Sequence, residues 1–194
     1  MATEIRAAKA ALRQQIRAAL EKISPAMRAV ESIEVCERLR PQLRSARTIL
    51  FFAPLPLELD LWPLLEESMP AGKTLALPWF DEAAQAYRAR RVENLTNEIV
   101  TGKFGVREPA SGCVEIPLEK FDLVLVPGVA FDLNGSRLGR GRGFYDRLLA
   151  KTSGVKCGVG YDFQLLEEIP AEPHDAKVNF ILTPTRCVKI VRGT

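Results

Sequence analysis

The chain of 194 residues has a single histidine, His174, and its four cysteines, Cys36, Cys113, Cys157 and Cys187, form no CxxC pair. Protein zinc sites draw on clustered cysteine and histidine, so none of the usual spacing is expected. With 47% apolar residues the chain can bury a core without disulfide staples, and the cysteines read as small buried hydrophobes. No apolar run nears the roughly 20 residues that cross a bilayer. The opening stretch, MATEIRAAKAALRQQIRAAL, is interrupted by charge too often for a secretory signal. It is basic and amphipathic, as transit peptides are, but Glu4, Glu21 and the near absence of Ser and Thr before Ser24 argue against one. The expectation is a cytoplasmic monomer with no membrane partner. A net charge of +3 is too slight to suggest nucleic acid as a partner, because such domains are usually far more basic. Two common phosphate signatures are missing as well: GxxxxGK[ST], and a dinucleotide fingerprint of the right spacing.

What is present is an alternation of helical and strand-like segments within the length of one domain. Residues 3–22 have helical spacing, with Ile5, Leu12, Ile16, Ala19 and Leu20 toward a core and Lys9 and Arg13 together on one face. Ser24-Pro25 reads as an N-cap and first helical position, opening a second helix that Pro41 should end. Strands are expected at 48–52, at 74–77 before Pro78, at 85–92 on a sheet edge, at 155–159 and at 178–182. Helices are expected at 61–68, 94–100 and 144–150. FDLVLV, Phe121 to Val126, is apolar on both faces and reads as the central strand. Such alternation predicts an α/β domain spanning 1–194, with a mainly parallel sheet covered by helices on both faces. Ligands of such sheets bind beyond the carboxyl ends of the strands.

The segment that carries chemistry is GSRLGRGRGFYDR, Gly135 to Arg147, with four glycines and four arginines. Glycine lets backbone amides approach an anion, and guanidinium groups match phosphate oxygens in pairs at any working pH. A helix opening near Phe144 would add unpaired amides. These features specify an anion site without naming the anion. A solvated surface turn and an RGG-like RNA-binding tract are the other readings of the same residues.

The stretch Pro127 to Leu148, PGVAFDLNGSRLGRGRGFYDRL, resembles the signature of the 5-formyltetrahydrofolate cyclo-ligases, also called methenyltetrahydrofolate synthetases. Lys9-Ala-Ala-Leu-Arg13, LELD around Glu58, GKFGVREP from Gly102 to Pro109, and HDAKVNFILT from His174 to Thr183 resemble further segments of that family, in its order. The resemblance implies a fold like that of sugar-phosphate isomerases and CoA transferases (the NagB/RpiA/CoA-transferase type). It implies ATP as co-substrate, Mg2+ as cofactor and 5-formyltetrahydrofolate as substrate. ATP would be contacted by Lys9, Ala10, Ala11, Leu12 and Arg13, and by the loop Arg137, Leu138, Gly139, Arg140, Gly141, Arg142, Gly143, Phe144 and Tyr145. Glu58 and Phe104 would meet the folate together with Arg140, Gly141, Arg142, Gly143 and Phe144. Arg140, Arg142 and Tyr145 would act in catalysis, and Asp146 and Asp175 would hold the metal. Phe144 stands where the family usually has the first of two tyrosines, and Arg142 stands where some members have lysine.

Taken without the resemblance, Lys9 and Arg13 read as a solvated helix face, Glu58 and Asp60 as loop acids, and Asp146 as a partner of a nearby arginine. Trp62 and Trp79 read as core or rim aromatics. A sugar-phosphate isomerase on a similar scaffold and a non-catalytic folate- or nucleotide-binding module remain the competing functions, since fold alone does not fix chemistry.

Overall fold

The structure, a computed structural model, describes residues 2–172 and 175–191. Pro173 and His174, the single histidine, lie outside the described residues.

Helix α1 covers Ala2–Glu21 and α2 covers Pro25–Ser45. The Ser24 side chain accepts a hydrogen bond from Met27 N, and Pro25 opens α2, as the sequence predicts. Pro41 does not end this helix. Leu39 and Leu43 are both buried one turn apart, and keeping that apolar stripe on the core outweighs the one intrahelical bond proline removes.

Among the described residues the main sheet has eight strands. In chain order they are β1 (Thr48–Leu50), β2 (Thr74–Asp81), β3 (Ala86–Arg91), β6 (Glu115–Ile116), β7 (Leu123–Pro127), β10 (Val155–Val159), β12 (Phe180–Leu182) and β13 (Cys187–Lys189). Their spatial order is β13-β12-β10-β7-β1-β2-β3-β6. The inner strands β12, β10, β7, β1 and β2 are parallel, while β13, β3 and β6 pair antiparallel, so the sheet is mixed with a parallel centre. The strand expected on the edge, β3, is covered by the short β6.

Alternation along each strand divides the core into two layers. Ile49, Leu75, Leu77, Leu123, Leu125, Cys157, Val159 and Leu182 pack with residues of α1, α2 and α3 (Trp62–Ser68). Leu50, Ala76, Ala89, Val124, Val126 and Ile181 pack on the opposite face with Leu148 and Leu149 of α4 (Phe144–Ala150). Helices therefore cover both faces. No helix among the described residues is long and apolar enough to cross a membrane.

Three local readings change. Strand β2 runs through Pro78, which is paired with Ala89 in register. Phe51 N donates to Ala76 O, so alternate residues 76, 78 and 80 present their backbone groups toward β1, which has ended at Leu50. At that point proline has no ladder bond to remove. Residues 94–100 are not a helix. The Asn94 side chain accepts from Thr96 N and Asn97 N, and Ile99 then enters strand β4 (Ile99–Thr101), paired with β5 (Arg107–Pro109). The cysteines are all free, but only Cys36 and Cys157 are buried; Cys113 is half-buried and Cys187 exposed.

The glycine loop does not leave β7 directly. A hairpin intervenes, β8 (Ala130–Asp132) with β9 (Arg137–Leu138), and β8 also pairs with β11 (Leu165–Leu166). Buried Asp132 holds the turn by accepting from Asn134 N, Ser136 N and Ile169 N. Gly135 takes φ 77° there, in the left-handed region open to glycine. This hairpin points Arg137 inward.

Candidate functional site

Two adjoining cavities lie beyond the carboxyl ends of β1, β2 and β7, where an open α/β sheet binds its ligands. The first, about 350 Å³, is walled by Ala53 and Glu58 after β1, Pro78 of β2, Pro127 to Val129 at the end of β7, and the glycine loop. The second, about 380 Å³, is lined by Arg6, Lys9 and Arg13 of α1, by Leu138, Gly141, Glu172 and Asp175, and by loop residues. Arg137, Gly139, Gly143 and Asp146 line both, so one short stretch of chain forms the partition.

Aromatic rings build one side of the first cavity. Phe80 of β2 and Tyr87 of β3 face each other across the register and meet edge to face, 5.5 Å between centroids. Phe104 stands 4.9 Å from Phe80 and stacks on Phe144 at 5.7 Å, and Phe144 also meets Phe80 and Tyr87. Such rings form a wall suited to a flat heterocycle. Cations border it: the Arg142 guanidinium lies 4.7 Å above the Phe104 ring, and that of Arg147 lies 5.0 Å from the Phe144 ring.

Glu58 and Arg140, predicted from segments far apart in sequence, meet as an ion pair at 2.8 Å. Glu58 also accepts from Leu55 N, which fixes its carboxylate on the cavity wall. Tyr145 lines the same cavity between Arg137 and Tyr87. Burial, reinforced by the charges of Glu58 and Tyr87, pushes its phenol above the ordinary range despite Arg137 and Arg140, so it remains protonated and can donate.

The second cavity is charged. Arg137 is buried, with its side chain 3% exposed, and donates to Asp146 at 2.7 Å and to Pro127 O at 3.3 Å. Arg13 donates to Gly139 O at 2.8 Å, tying α1 to the loop. Lys9 is buried and pairs with Glu172 at 2.8 Å and Asp175 at 2.6 Å. A solvated face is therefore the wrong description of Lys9. Burial disfavours its ammonium, but the two carboxylates outweigh this and hold its pKa above the ordinary 10.5. With the folded value raised, the stability that the Lys9 charge adds while its two carboxylates are ionised is complete just below pH 10.5 and is lost as pH climbs through the folded pKa.

The glycine loop keeps an open backbone through two positive-φ residues, Gly141 at 95° and Gly143 at 65°, the latter standing just before α4. Its arginines are not equivalent: Arg140 and Arg142 are exposed, while Arg137 is sequestered. Ala10, Ala11 and Leu12 line neither cavity; the alanines are exposed and Leu12 packs on the core. Those three supply the turn of helix that separates Lys9 from Arg13.

Asp146 and Asp175, expected to hold a metal, face the same cavity but carry ion pairs with Arg137 and Lys9. No three acidic, cysteine or histidine groups converge into a metal cage among the described residues. The carboxylates nevertheless suit Mg2+, which is commonly held by one or two carboxylates completed by water and substrate phosphates.

Sequence reasoning missed Glu172, Tyr87 and Phe80. Glu172 sits in a run of acids and prolines with no local sign of a lysine partner 163 residues away. Tyr87 and Phe80 become neighbours only through the β2–β3 register. Arg6 was legible, three residues before Lys9 on the same helical face. Trp62 and Trp79 lie under Arg107 and Arg90, at 4.9 and 3.6 Å, and line neither cavity.

Comparisons with known proteins identify the family of the chain. The sequence profile described as the 5-formyltetrahydrofolate cyclo-ligase family matches residues 5–184. The chain is 36% identical over 155 residues to a 5-formyltetrahydrofolate cyclo-ligase of Mycolicibacterium smegmatis, covering 76% of this chain and 79% of the relative. It is 33% identical over 150 residues to that of Escherichia coli K12, covering 75% and 82%. The solved structure of Aquifex aeolicus 5,10-methenyltetrahydrofolate synthetase superposes with a TM-score of 0.86 at 33% identity, covering 96% of this chain and 94% of the other.

Proposed function

The chain belongs to the 5-formyltetrahydrofolate cyclo-ligase family, and from this premise we propose that it closes 5-formyltetrahydrofolate to 5,10-methenyltetrahydrofolate while converting ATP to ADP and phosphate. The observation that carries the reading is the pair of cavities sharing a wall: one aromatic, one cationic, with Arg137, Gly139, Gly143 and Asp146 common to both. A phosphoryl group held in the second cavity could then reach a formyl oxygen held in the first.

In this reading the formyl oxygen attacks the terminal phosphorus and ADP departs. N10 of the folate then attacks the activated formyl carbon, the C–O bond breaks, and the N10 proton leaves with that oxygen as hydrogen phosphate. Phosphoryl transfer depends on positioning and charge neutralisation more than on protein nucleophiles. Lys9, Arg13 and Arg137 would neutralise the ATP phosphates, the backbone from Leu138 to Gly143 would follow them, and Arg140 and Arg142 would meet the charge developing between the cavities. Phe104, Phe144 and Tyr87 would stack on the folate. Glu58 would exchange its bond with Arg140 for the pterin, and Tyr145 would donate a hydrogen bond while staying neutral. Asp146 and Asp175 would hold Mg2+, which when bound draws charge from the phosphate oxygens.

The discriminating experiment is phosphate release by the purified protein with ATP and Mg2+, with and without 5-formyltetrahydrofolate. Release that requires the folate is expected; equal release in both mixtures, or none in either, contradicts the proposal. A second expected outcome concerns Lys9→Met. It leaves two carboxylates facing the phosphates without their cation, and KM for ATP should rise by roughly tenfold or more while KM for the folate stays near its starting value. Steady-state kinetics varying each substrate in turn reads the difference, and an unchanged KM for ATP would remove Lys9 from the site.

A further inference from the structure

Glu108 lines neither cavity, yet it is buried and is bonded to Phe80, whose ring meets the aromatic wall of the first. Beyond Leu50, β1 no longer runs beside β2, and the backbone groups of residues 78 and 80 lose their ladder partner. Pro78 has no N–H to satisfy. Phe80 has one, and it donates to Glu108 Oε2 at 3.2 Å. A carboxylate from β5 thus caps the exposed edge of β2, as buried N–H groups require.

The other side of the same carboxyl rests on Gly102. A methyl group at Gly102 would fall 2.3 Å from Glu108 Cδ and 2.5 and 2.7 Å from its two oxygens, so any side chain there must displace the carboxyl. Gly102 opens the short turn that joins β4 to β5, closed by Gly102 N donating to Val106 O at 2.7 Å and Gly105 N to Gly102 O at 3.0 Å. That turn carries Phe104 and Val106, both on the wall of the first cavity. Phe80, held at the other end of the Glu108 bond, touches Phe104 and Phe144. Among the described residues Glu108 Oε1 is buried with no hydrogen-bond partner, a cost that packing alone would not require of this position.

We propose that Glu108 is a positioning residue for folate binding: by bonding to Phe80 N and seating on Gly102 it fixes the 102–106 turn, and so keeps Phe104 and Val106 on the substrate wall. The role rests on the functional reading above, because it supposes that the first cavity holds the folate. It acts on one substrate and not the other, since no part of the turn lines the cationic cavity.

The test is steady-state kinetics of the full chain, with circular dichroism to establish folding and equilibrium dialysis of 5-formyltetrahydrofolate beside it. Glu108→Ala should raise KM for the folate roughly tenfold, the scale of one lost aromatic contact, while kcat and KM for ATP stay within about twofold. Glu108→Gln keeps an oxygen for Phe80 N and should return the folate KM to within about threefold of the parent. Gly102→Ala displaces the carboxyl and should weaken the folate as Glu108→Ala does. In the double variant the methyl enters the space the carboxyl left, so the effects should not add. Equal losses for both substrates, a fall confined to kcat, failure of Gln to rescue, or additive effects would each overturn the role. If Glu108→Ala does not fold, Gly102→Ala decides alone, and an unmoved folate KM overturns the proposal. A parent protein without turnover would defeat the functional reading; the folate affinities of the same variants would still read the wall, and equal affinities would overturn the positioning.

Discussion

Replacing Asp146 with asparagine is expected to lower the folate-dependent turnover by roughly a hundredfold or more, while changing folate affinity little. Two effects act together. The first is structural: Arg137 is buried with a side-chain exposure of 3% and is paired to Asp146 at 2.7 Å, so the neutral side chain leaves a sequestered guanidinium without its counter-charge. Breaking a buried pair by altering one partner costs on the order of 3 kcal/mol, an amount that thermal unfolding can read. The second effect follows from the proposed role at Mg2+, since an amide is a weaker ligand for a hard cation than a carboxylate. The two separate by titration. If the metal role holds, raising the Mg2+ concentration should recover part of the rate without recovering the stability. A loss of folate affinity as large as the loss of turnover would refute the metal role, leaving Asp146 as the counter-ion of Arg137 alone.

The second large effect is expected at Arg142. Its guanidinium lies over Phe104 at 4.7 Å, on an exposed loop between two positive-φ glycines, Gly141 and Gly143. That position gives it little to do for stability, so Arg142→Ala should leave the melting temperature almost unchanged. In the proposed reaction it faces the charge passing from one cavity to the other. Loss of such a group lowers kcat by about 10²–10³, or ~3 kcal/mol and upward. Arg142→Lys should retain part of the rate, because the charge survives but the planar fork and the stacking on Phe104 do not. A near-parental kcat for Arg142→Ala would show the residue to be a surface charge, and the transition-state role would pass to Arg140 or Arg137.

Much of this architecture was legible in the residues themselves, for identifiable reasons. FDLVLV became the central strand because both of its faces are apolar, and only a doubly covered strand can bury them. The bounds of α4 and β10 fall where expected, since Gly143 stands just before the first and Gly154 and Gly160 flank the second. The failures share one physical cause, which is that partners distant in sequence outweigh local signals. Pro41 and Pro78 read as stops, but buried Leu43 carries α2 onward, and the early end of β1 makes Pro78 harmless. The 94–100 segment has one turn of helical character, yet Ile99 gains more by pairing with Pro109.

The site divides in the same way. The glycine loop announced an anion site through its composition, and Glu58, Phe104, Lys9 and Arg13 were placed by resemblance. The two cavities bring Glu58 to Arg140 and Phe104 beneath Arg142, and gather Lys9 and Arg13 beside Asp175. The burial of Lys9 was not legible, because a lysine on an amphipathic helix looks solvated until Glu172 and Asp175 arrive from the far end of the chain. Nor was Arg137 distinguishable from its three loop neighbours, since only the hairpin turn held by Asp132 points it inward.

The central claim is that the aromatic and cationic cavities bind a folate and ATP together and join their chemistry. The most direct measurement is near-ultraviolet absorbance of the purified protein mixed with 5-formyltetrahydrofolate, ATP and Mg2+, beside mixtures lacking each in turn. The account predicts growth of the methenyltetrahydrofolate band in the complete mixture alone. A flat trace from folded protein that still binds ATP would contradict it, leaving a binding module or a different acceptor in the aromatic cavity.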